Sequence, residues 1–260
     1  MHEPILVFKR VVKKRLGGNG YTLMVAKLIV KLGDRIALVG QSGSGKSTLL
    51  DMLGLVSKPD YIYSHLDGEF TWFSAYDVLD LWEDWNTTDT SLREKIRRED
   101  LGYVLQSGGL LPFLNVRNNI ILPAKLKKSP RGRELEEELT KIVTDLRIGH
   151  LLKKYPGTIS MGERQRVAVA RAIIHKPSLI LADEPTASLD PPTADKVFER
   201  LLTMSQGRAL IVATHDEPRV RSYGFQVYRI VCEDLGAGKG IRAILVRDQK
   251  PKSRTQNMSL

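Results

Sequence analysis

A glycine-rich loop between two apolar runs constrains the fold of this chain more than any other segment. Residues 40–48 read GQSGSGKST, follow the apolar run 35–39 and precede the apolar run 49–53. Glycines let the backbone approach a ligand without Cβ clashes, and the free amides at the start of a helix attract anions. The strand–loop–helix pattern therefore predicts a phosphate-binding loop in an α/β protein.

The residue types of this loop indicate how it would hold a nucleotide. Lys46 is predicted to reach the β- and γ-phosphates as a point charge, and the Ser47 hydroxyl is predicted to bind Mg²⁺. A simple Gly/Ser-rich turn is disfavoured because Lys and Ser stand at the required offset. The predicted nucleotide-binding residues are Gly40, Gln41, Ser42, Gly43, Ser44, Gly45, Lys46, Ser47 and Thr48.

A second apolar run ends in two carboxylates. Residues 179–184 read LILADE, which is typical of a buried parallel strand. Ligands collect at the carboxyl ends of such strands. Asp183 is therefore predicted to hold the Mg²⁺ shell, and Glu184 to orient and polarise an attacking water as a general base.

Composition limits the partners and the compartment. The chain has 260 residues, 42% of them hydrophobic, which is enough for a substantial core. No run approaches the ~20 apolar residues that span a bilayer, and the N-terminus lacks the apolar core of a signal peptide, so we expect a cytoplasmic protein. The single cysteine, Cys232, excludes an internal disulfide.

The formal net charge of +10 is compatible with several kinds of binding partner. Base-stacking aromatic residues do not accompany the basic ones, so no nucleic acid partner is expected. Lipid headgroups, an acidic partner or a plain solvated surface each fit such a charge. Part of the excess lies in the polar tail, which contains Lys250, Lys252 and Arg254.

A third motif reveals a family resemblance. Residues 159–172 read ISMGERQRVAVARA, which resembles the signature motif and helix of ATP-binding-cassette (ABC) ATPases. The resemblance covers roughly residues 5–232, and the motifs occur in the order of that family. That order is the phosphate loop, Gln106, the signature, Asp183 with Glu184, the segment 188–190 and His215.

The resemblance implies a head-to-tail homodimer that sandwiches two ATP molecules with Mg²⁺. Ser160 and Gly162 would then contact the γ-phosphate held by the other subunit, with Asp190 at the dimer seam. Lys46, Glu184 and His215 would be the catalytic residues, His215 contacting the γ-phosphate. The metal ligands would be Ser47, Gln106 and Asp183, and Gln106 would also sense a transmembrane partner.

The chain departs from the family pattern at two places. Met161 replaces the first glycine of the signature, while Ser160 and the second glycine are retained. The family also has an aromatic residue that stacks on adenine, and the register places Arg15 or Leu16 there. Tyr21 and Phe8 are the nearest aromatic residues, and neither has the expected spacing.

The predicted fold class is α/β: a P-loop ABC ATPase core with a small antiparallel β subdomain and an inserted helical subdomain. The core takes residues 1–106 and 156–232, the helical subdomain takes 107–155, and 233–260 form a basic C-terminal extension. Residues 68–100 hold all three tryptophans. We favour packing of Trp72 in a small antiparallel sheet with a surface insertion after it, over a partner contact through Trp82 and Trp85.

The type of cassette is indicated by residues 101–123. They resemble the same segment in ATPases of lipoprotein release, macrolide export and cell division. The predicted function is the ATPase subunit of an exporter or extractor of a lipoprotein, peptide or amphiphile. The subunit would lie peripherally on the cytoplasmic face of the inner (plasma) membrane, against an integral membrane permease.

Other members of the family leave alternatives open. A lipid-trafficking ATPase, an importer ATPase and a non-transport ATPase that regulates a membrane partner each fit one cassette. ABC ATPases of translation carry two cassettes, and those of DNA repair carry a long coiled coil. Both are disfavoured, because this chain has one phosphate loop and a short helical insertion.

Overall fold

The structure is a computed structural model that describes residues 3–15, 20–63, 67–74, 77–187, 189–236 and 240–248. Leu16, Ser188 and the basic tail residues Lys250, Lys252 and Arg254, which the sequence analysis considered, lie outside these ranges.

The described strands form one 11-stranded sheet with a parallel and an antiparallel part. Its order is β6-β5-β1-β2-β11-β10-β3-β9-β8-β7, and β4 pairs with β1 outside this path. The strands are β1 (Pro4–Arg15), β2 (Tyr21–Lys31), β3 (Arg35–Val39), β4 (Tyr61–Ile62), β5 (Glu69–Phe73), β6 (Val78–Asp80), β7 (Leu101–Val104), β8 (Leu179–Asp183), β9 (Ala209–Thr214), β10 (Gln226–Asp234) and β11 (Ile241–Arg247).

The helices follow the predicted α/β pattern. Two of them, α4 and α5, lie between Gln106 and the signature, and no helix in the described ranges is both long and apolar enough to cross a membrane. The helices are α1 (Lys46–Leu53), α2 (Leu81–Trp85), α3 (Ser91–Glu99), α4 (Val116–Lys127), α5 (Gly132–Asp145), α6 (Met161–Ile173), α7 (Pro191–Met204) and α8 (Glu217–Ser222).

The last strand corrects the predicted end of the core. β11 pairs antiparallel with β10 and parallel with β2, so it joins the two parts of the sheet. Its alternate residues Ala243 and Leu245 are buried, as expected for a strand with one face on the core. The core sheet therefore continues to Arg247, beyond the predicted boundary at residue 232.

The tryptophan-containing segment packs against the core. Trp72 is fully buried in β5, within the antiparallel part of the sheet. Trp82 and Trp85 are partly buried and pack against the hydrophobic cluster that contains Trp72. The Arg93 guanidinium lies 4.3 Å from the centre of the Trp85 ring. Arg93 also donates to the Asp84 carboxylate at 2.5 Å. These contacts give Trp82 and Trp85 a structural role in packing this segment against the sheet.

A buried histidine makes the fold sensitive to acid. His175 follows α6, and its Nε2 lies 2.9 Å from the carbonyl oxygen of Leu101. Burial lowers the pKa of His175 from its ordinary value of 6.5 to about 4. The His175 side chain therefore takes up its proton at a higher pH in the unfolded chain than in the folded chain. The contribution of neutral His175 to the free energy of unfolding is fully present above pH 6.5 and is lost as the pH falls toward 4.

We expect His175→Gln to reduce this acid sensitivity, because Gln carries an amide donor but no titrating group. Between about pH 7.5 and about pH 5, wild type should lose about 2 kcal/mol more of its free energy of unfolding than the variant. Urea titrations of both proteins at the two pH values measure this. Equal losses would show that His175 does not contribute.

Candidate nucleotide-binding site

The site lies where four neighbouring parallel strands end. The strands β3, β9, β8 and β7 are adjacent and parallel in that order. The phosphate loop follows β3, His215 follows β9, Glu184 follows β8, and Gln106 stands two residues after β7. Residues far apart in the sequence therefore meet at one edge of the sheet.

The phosphate loop holds its own lysine in place. Lys46 begins α1, and its ammonium donates to the carbonyl oxygens of Gly40 at 2.8 Å and Gln41 at 3.0 Å. The Lys46 side chain is almost fully buried. These bonds orient the charge toward the cavity before any phosphate arrives, so little side-chain freedom remains to be lost on binding.

Gly45 occupies a position that tolerates no side chain. Its φ is 100°, in the left-handed region, and it caps the N-terminus of α1. The Tyr21 hydroxyl, which donates to the carbonyl oxygen of Ser44, lies 2.0 Å from where a Cβ on Gly45 would stand. Burial raises the pKa of Tyr21 to about 12, so the hydroxyl keeps the proton that it donates.

Glu184 lies between a lysine and a histidine. One carboxylate oxygen is 4.0 Å from the Lys46 ammonium, and the other is 3.0 Å from Nδ1 of His215. The backbone of Glu184 has a φ of 45°, which is rare outside glycine, and its amide donates to the carbonyl oxygen of Ala213 at 2.9 Å. Strained backbone of this kind is common at functional sites.

Asp183 has the properties of a metal ligand. Its carboxylate is buried, and within the described chain its Oδ1 has no hydrogen-bond partner. Burial raises the pKa of Asp183; the hydrogen bond with Ser47 opposes this, and the Glu184 charge adds to it. A buried acceptor without a partner is costly unless a ligand completes it. The residues present therefore fit a cation.

The oxygen donors of Ser47, Asp183 and Gln106 suit a hard divalent cation such as Mg²⁺. Among the described residues, no group of three or more His, Cys, Asp and Glu side chains could enclose a metal. Mg²⁺ commonly binds through one or two protein oxygens together with substrate phosphates and water. The hydroxyl of Ser47 and the carboxylate of Asp183 match this, and Gln106 lines the same cavity.

The cavity at this edge has a volume of about 470 Å³. The predicted residues Gly40, Gln41 and Ser44 do not line it. The predicted site residues that do line it are Ser42, Gly43, Gly45, Lys46, Ser47, Thr48, Gln106, Asp183, Glu184 and His215.

Two lining residues were not among the predicted site residues. Arg15, one of the two positions indicated by register, lines the cavity, while Leu16 lies outside the described residues. Ala187 also lines it. Phe8 is fully buried and packs edge-on against Phe70, so it is excluded as a stacking residue.

The signature forms a well-capped helix start at another place on the chain. The Ser160 hydroxyl accepts from the Glu163 amide, and the Glu163 carboxylate accepts from the Ser160 amide at 2.7 Å. The hydrogen bond from the Ser160 backbone lowers the pKa of Glu163. Met161 is 43% exposed. Ser160 and Gly162 do not line the cavity of the phosphate loop.

Comparisons with known proteins agree with this geometry. The family described as ABC transporter matches residues 23–187. The lipoprotein-releasing system ATP-binding protein LolD of Shewanella sp. (strain MR-4) is 35% identical over 220 residues, which are 83% of this chain and 89% of the relative. LolD of Legionella pneumophila (strain Lens) is 36% identical over 222 residues, 84% of this chain and 91% of the relative.

A solved structure gives the same result for the fold. The dimeric ATP-binding cassette MJ0796 in a post-hydrolysis state with ADP and Pi has a TM-score of 0.71 and 29% identity. The aligned residues are 86% of this chain and 93% of the MJ0796 chain. These matches confirm the resemblance that the motifs indicated.

We expect Gly45→Ala to weaken ATP binding at least tenfold, about 1.4 kcal/mol. The added methyl group would meet the Tyr21 hydroxyl, and alanine disfavours this φ. Isothermal titration with ATP measures the affinity. Gly149→Ala is the control, since its Cβ would meet nothing closer than 4.0 Å.

The clash also has its own test in the double variant Tyr21→Phe/Gly45→Ala. Without the hydroxyl, the nearest Tyr21 atom to the new methyl group is the ring Cζ, at 3.1 Å. Gly45→Ala should therefore cost less affinity in the Tyr21→Phe background than in wild type. The same cost in both would mean that Tyr21 does not restrict this position.

Proposed function

The chain belongs to the ABC transporter family, and we propose that it is the ATP-hydrolysing subunit of a system that releases lipoproteins from a membrane through a separate membrane subunit. The placement of Glu184 between Lys46 and His215 at the phosphate-loop cavity carries the ATPase part of this proposal. The similarity to LolD over more than four fifths of the chain carries the choice of cargo.

Each catalytic residue has a separate task. Lys46 attracts the β- and γ-phosphates, and the loop amides with the start of α1 bind their oxygens. Glu184 accepts a proton from the attacking water and orients it. His215 holds the Glu184 carboxylate through its Nδ1 and, being 67% exposed at its side chain, is accessible to the γ-phosphate.

Mg²⁺ would be held by Ser47, Asp183 and Gln106. When bound, it neutralises charge on the phosphate oxygens as the γ-phosphoryl group leaves. The unpartnered Oδ1 of Asp183 supports this assignment, because a cation would satisfy a buried acceptor that the described protein leaves open.

A second copy of the chain would complete the site. Ser160 and Gly162 stand at the exposed start of α6 and outside the cavity of their own phosphate loop. The free amides at a helix N-terminus bind anions, so this surface fits the γ-phosphate held by a partner copy. Met161 at this helix start is exposed, so its side chain is not packed in the core of its own chain. Each of the two sites in a homodimer would thus use both chains.

The segment 107–155 would carry the membrane partner. Exposed apolar side chains lie along it: Phe113 is 72% exposed and Leu126 is 56% exposed. Large exposed apolar side chains fit a protein contact, and Gln106, which directly precedes this segment, lines the nucleotide cavity. The subunit would therefore lie peripherally at the cytoplasmic face of the inner membrane, held by an integral permease.

Arg15 is a candidate contact for the base of a bound nucleotide. Arg15 lines the cavity, and a guanidinium group can stack on an aromatic face. We propose that Arg15 contacts adenine in place of the aromatic residue of the family.

We expect Glu184→Gln to keep ATP binding and to lower the hydrolysis rate by ~10²–10⁴-fold, as loss of a general base does. The variant should also accumulate as an ATP-bound dimer, because closure does not need hydrolysis. Phosphate release and gel filtration with ATP measure the two effects. Hydrolysis near the wild-type rate would remove Glu184 from this role.

Lipoprotein release is tested with the membrane subunit that co-purifies from membranes in mild detergent. In vesicles that contain this complex and a lipidated protein, ATP should move the lipidated protein from the vesicle to the soluble fraction. The complex with Glu184→Gln should not do so. Release of an unlipidated control protein, or transfer of phospholipid alone, would contradict the lipoprotein assignment.

A further inference from the structure

A second cavity lies away from the nucleotide site, between three helices. Its volume is about 290 Å³. It is lined from the end of α5, from α6 and from the first turns of α7, with Leu146 and Val197 as apolar members. It therefore joins the helical insertion to the core.

Basic side chains outnumber acidic ones around this cavity. Four cations line it, against the two carboxylates of Asp145 and Glu199. None of the four forms an ion pair within the part of the chain that the structure describes. The four are Arg147, Arg166, Lys196 and Arg200.

One of these cations has a buried donor that lacks an acceptor. The Nε of Arg166 is enclosed by protein and has no hydrogen-bond partner among the described residues. Its terminal Nη groups are not buried without a partner in this way, and they form no hydrogen bond or ion pair within the described residues. They are therefore the donors of Arg166 that an anion in the cavity could engage.

The cavity is also close to the signature. Nη1 of Arg166 lies 3.8 Å from where a Cβ on Gly162 would stand. Arg166 therefore connects the cavity to the start of α6, the surface that is proposed to meet ATP on a partner copy.

We propose that this cavity binds a small multivalent anion of the phosphate class. Guanidinium groups match phosphate oxygens with paired hydrogen bonds, and the lining has a net charge of two positive units from four cations and two carboxylates. The volume lies near the lower end of small-ligand pockets, ~300 Å³. This size favours a compact anion over an acidic protein segment.

Pyrophosphate is the probe, and the phosphate loop must be prevented from binding it. The full chain with Lys46→Ala provides this background, in which isothermal titration should show saturable binding of pyrophosphate. Adding Lys196→Ala and Arg200→Ala should weaken that binding at least tenfold. The single charge reversal Lys196→Glu gives an independent variant with the same expected direction.

The matched control removes two positive charges elsewhere. Lys141 and Lys153 are exposed, lie outside the cavity and form no ion pair within the described residues. Lys141→Ala with Lys153→Ala should leave the affinity for pyrophosphate within about twofold. In the wild-type background, Lys196→Ala/Arg200→Ala should keep the basal ATPase rate, which confirms that the variant is folded.

Three outcomes would overturn the proposal. One is the absence of saturable binding in the Lys46→Ala background. Another is an equal loss of affinity in the control, which would show diffuse charge attraction. The third is tighter binding of an oligoglutamate peptide than of pyrophosphate, with the same dependence on Lys196 and Arg200, which would assign the surface to an acidic protein partner.

Discussion

The parallel hydrogen bonding of four adjacent strands is the constraint on which the site depends. Because β3, β9, β8 and β7 run in the same direction, their carboxyl ends meet at one edge of the sheet. The phosphate loop, His215, Glu184 and Gln106 all follow those ends. One strand reversed would move its residue to the opposite edge. The catalytic arrangement is therefore a consequence of strand direction.

The charges at this edge are arranged before a nucleotide binds. Lys46 is held by two carbonyl oxygens of its own loop, and Glu184 is held by His215 and by a strained backbone. Asp183 is buried with one open acceptor. Fixed charges of this kind stabilise developing charge without reorganising during the reaction. The cavity thus holds a fixed cation beside a fixed carboxylate, as the proposed hydrolysis requires.

The signature is the part of the chain that is proposed to complete the nucleotide site of a second copy. Its capping box satisfies the Ser160 and Glu163 amides internally, and Ser160 and Gly162 do not line the cavity of their own phosphate loop. The basic cavity between α5, α6 and α7 is lined by Arg166 of the same helix, and Nη1 of Arg166 lies near Gly162. An anion bound there would contact Arg166, which also lies beside the helix start that is proposed to meet a second copy. The proposed ligand would thereby have a route to influence closure of the dimer.

The sequence by itself determined the α/β fold class, the phosphate loop, the two carboxylates at the end of β8 and the signature. These features depend on local patterns: glycine spacing, an apolar run of strand length and a helix start, each with a backbone mechanism that operates over a few residues. The tertiary structure decided the position of β11, the place of Arg15 in the cavity, the exclusion of Phe8 and the basic cavity between α5, α6 and α7. Those depend on sheet order and helix packing, which bring together residues separated by many tens of positions and leave no local pattern in the chain.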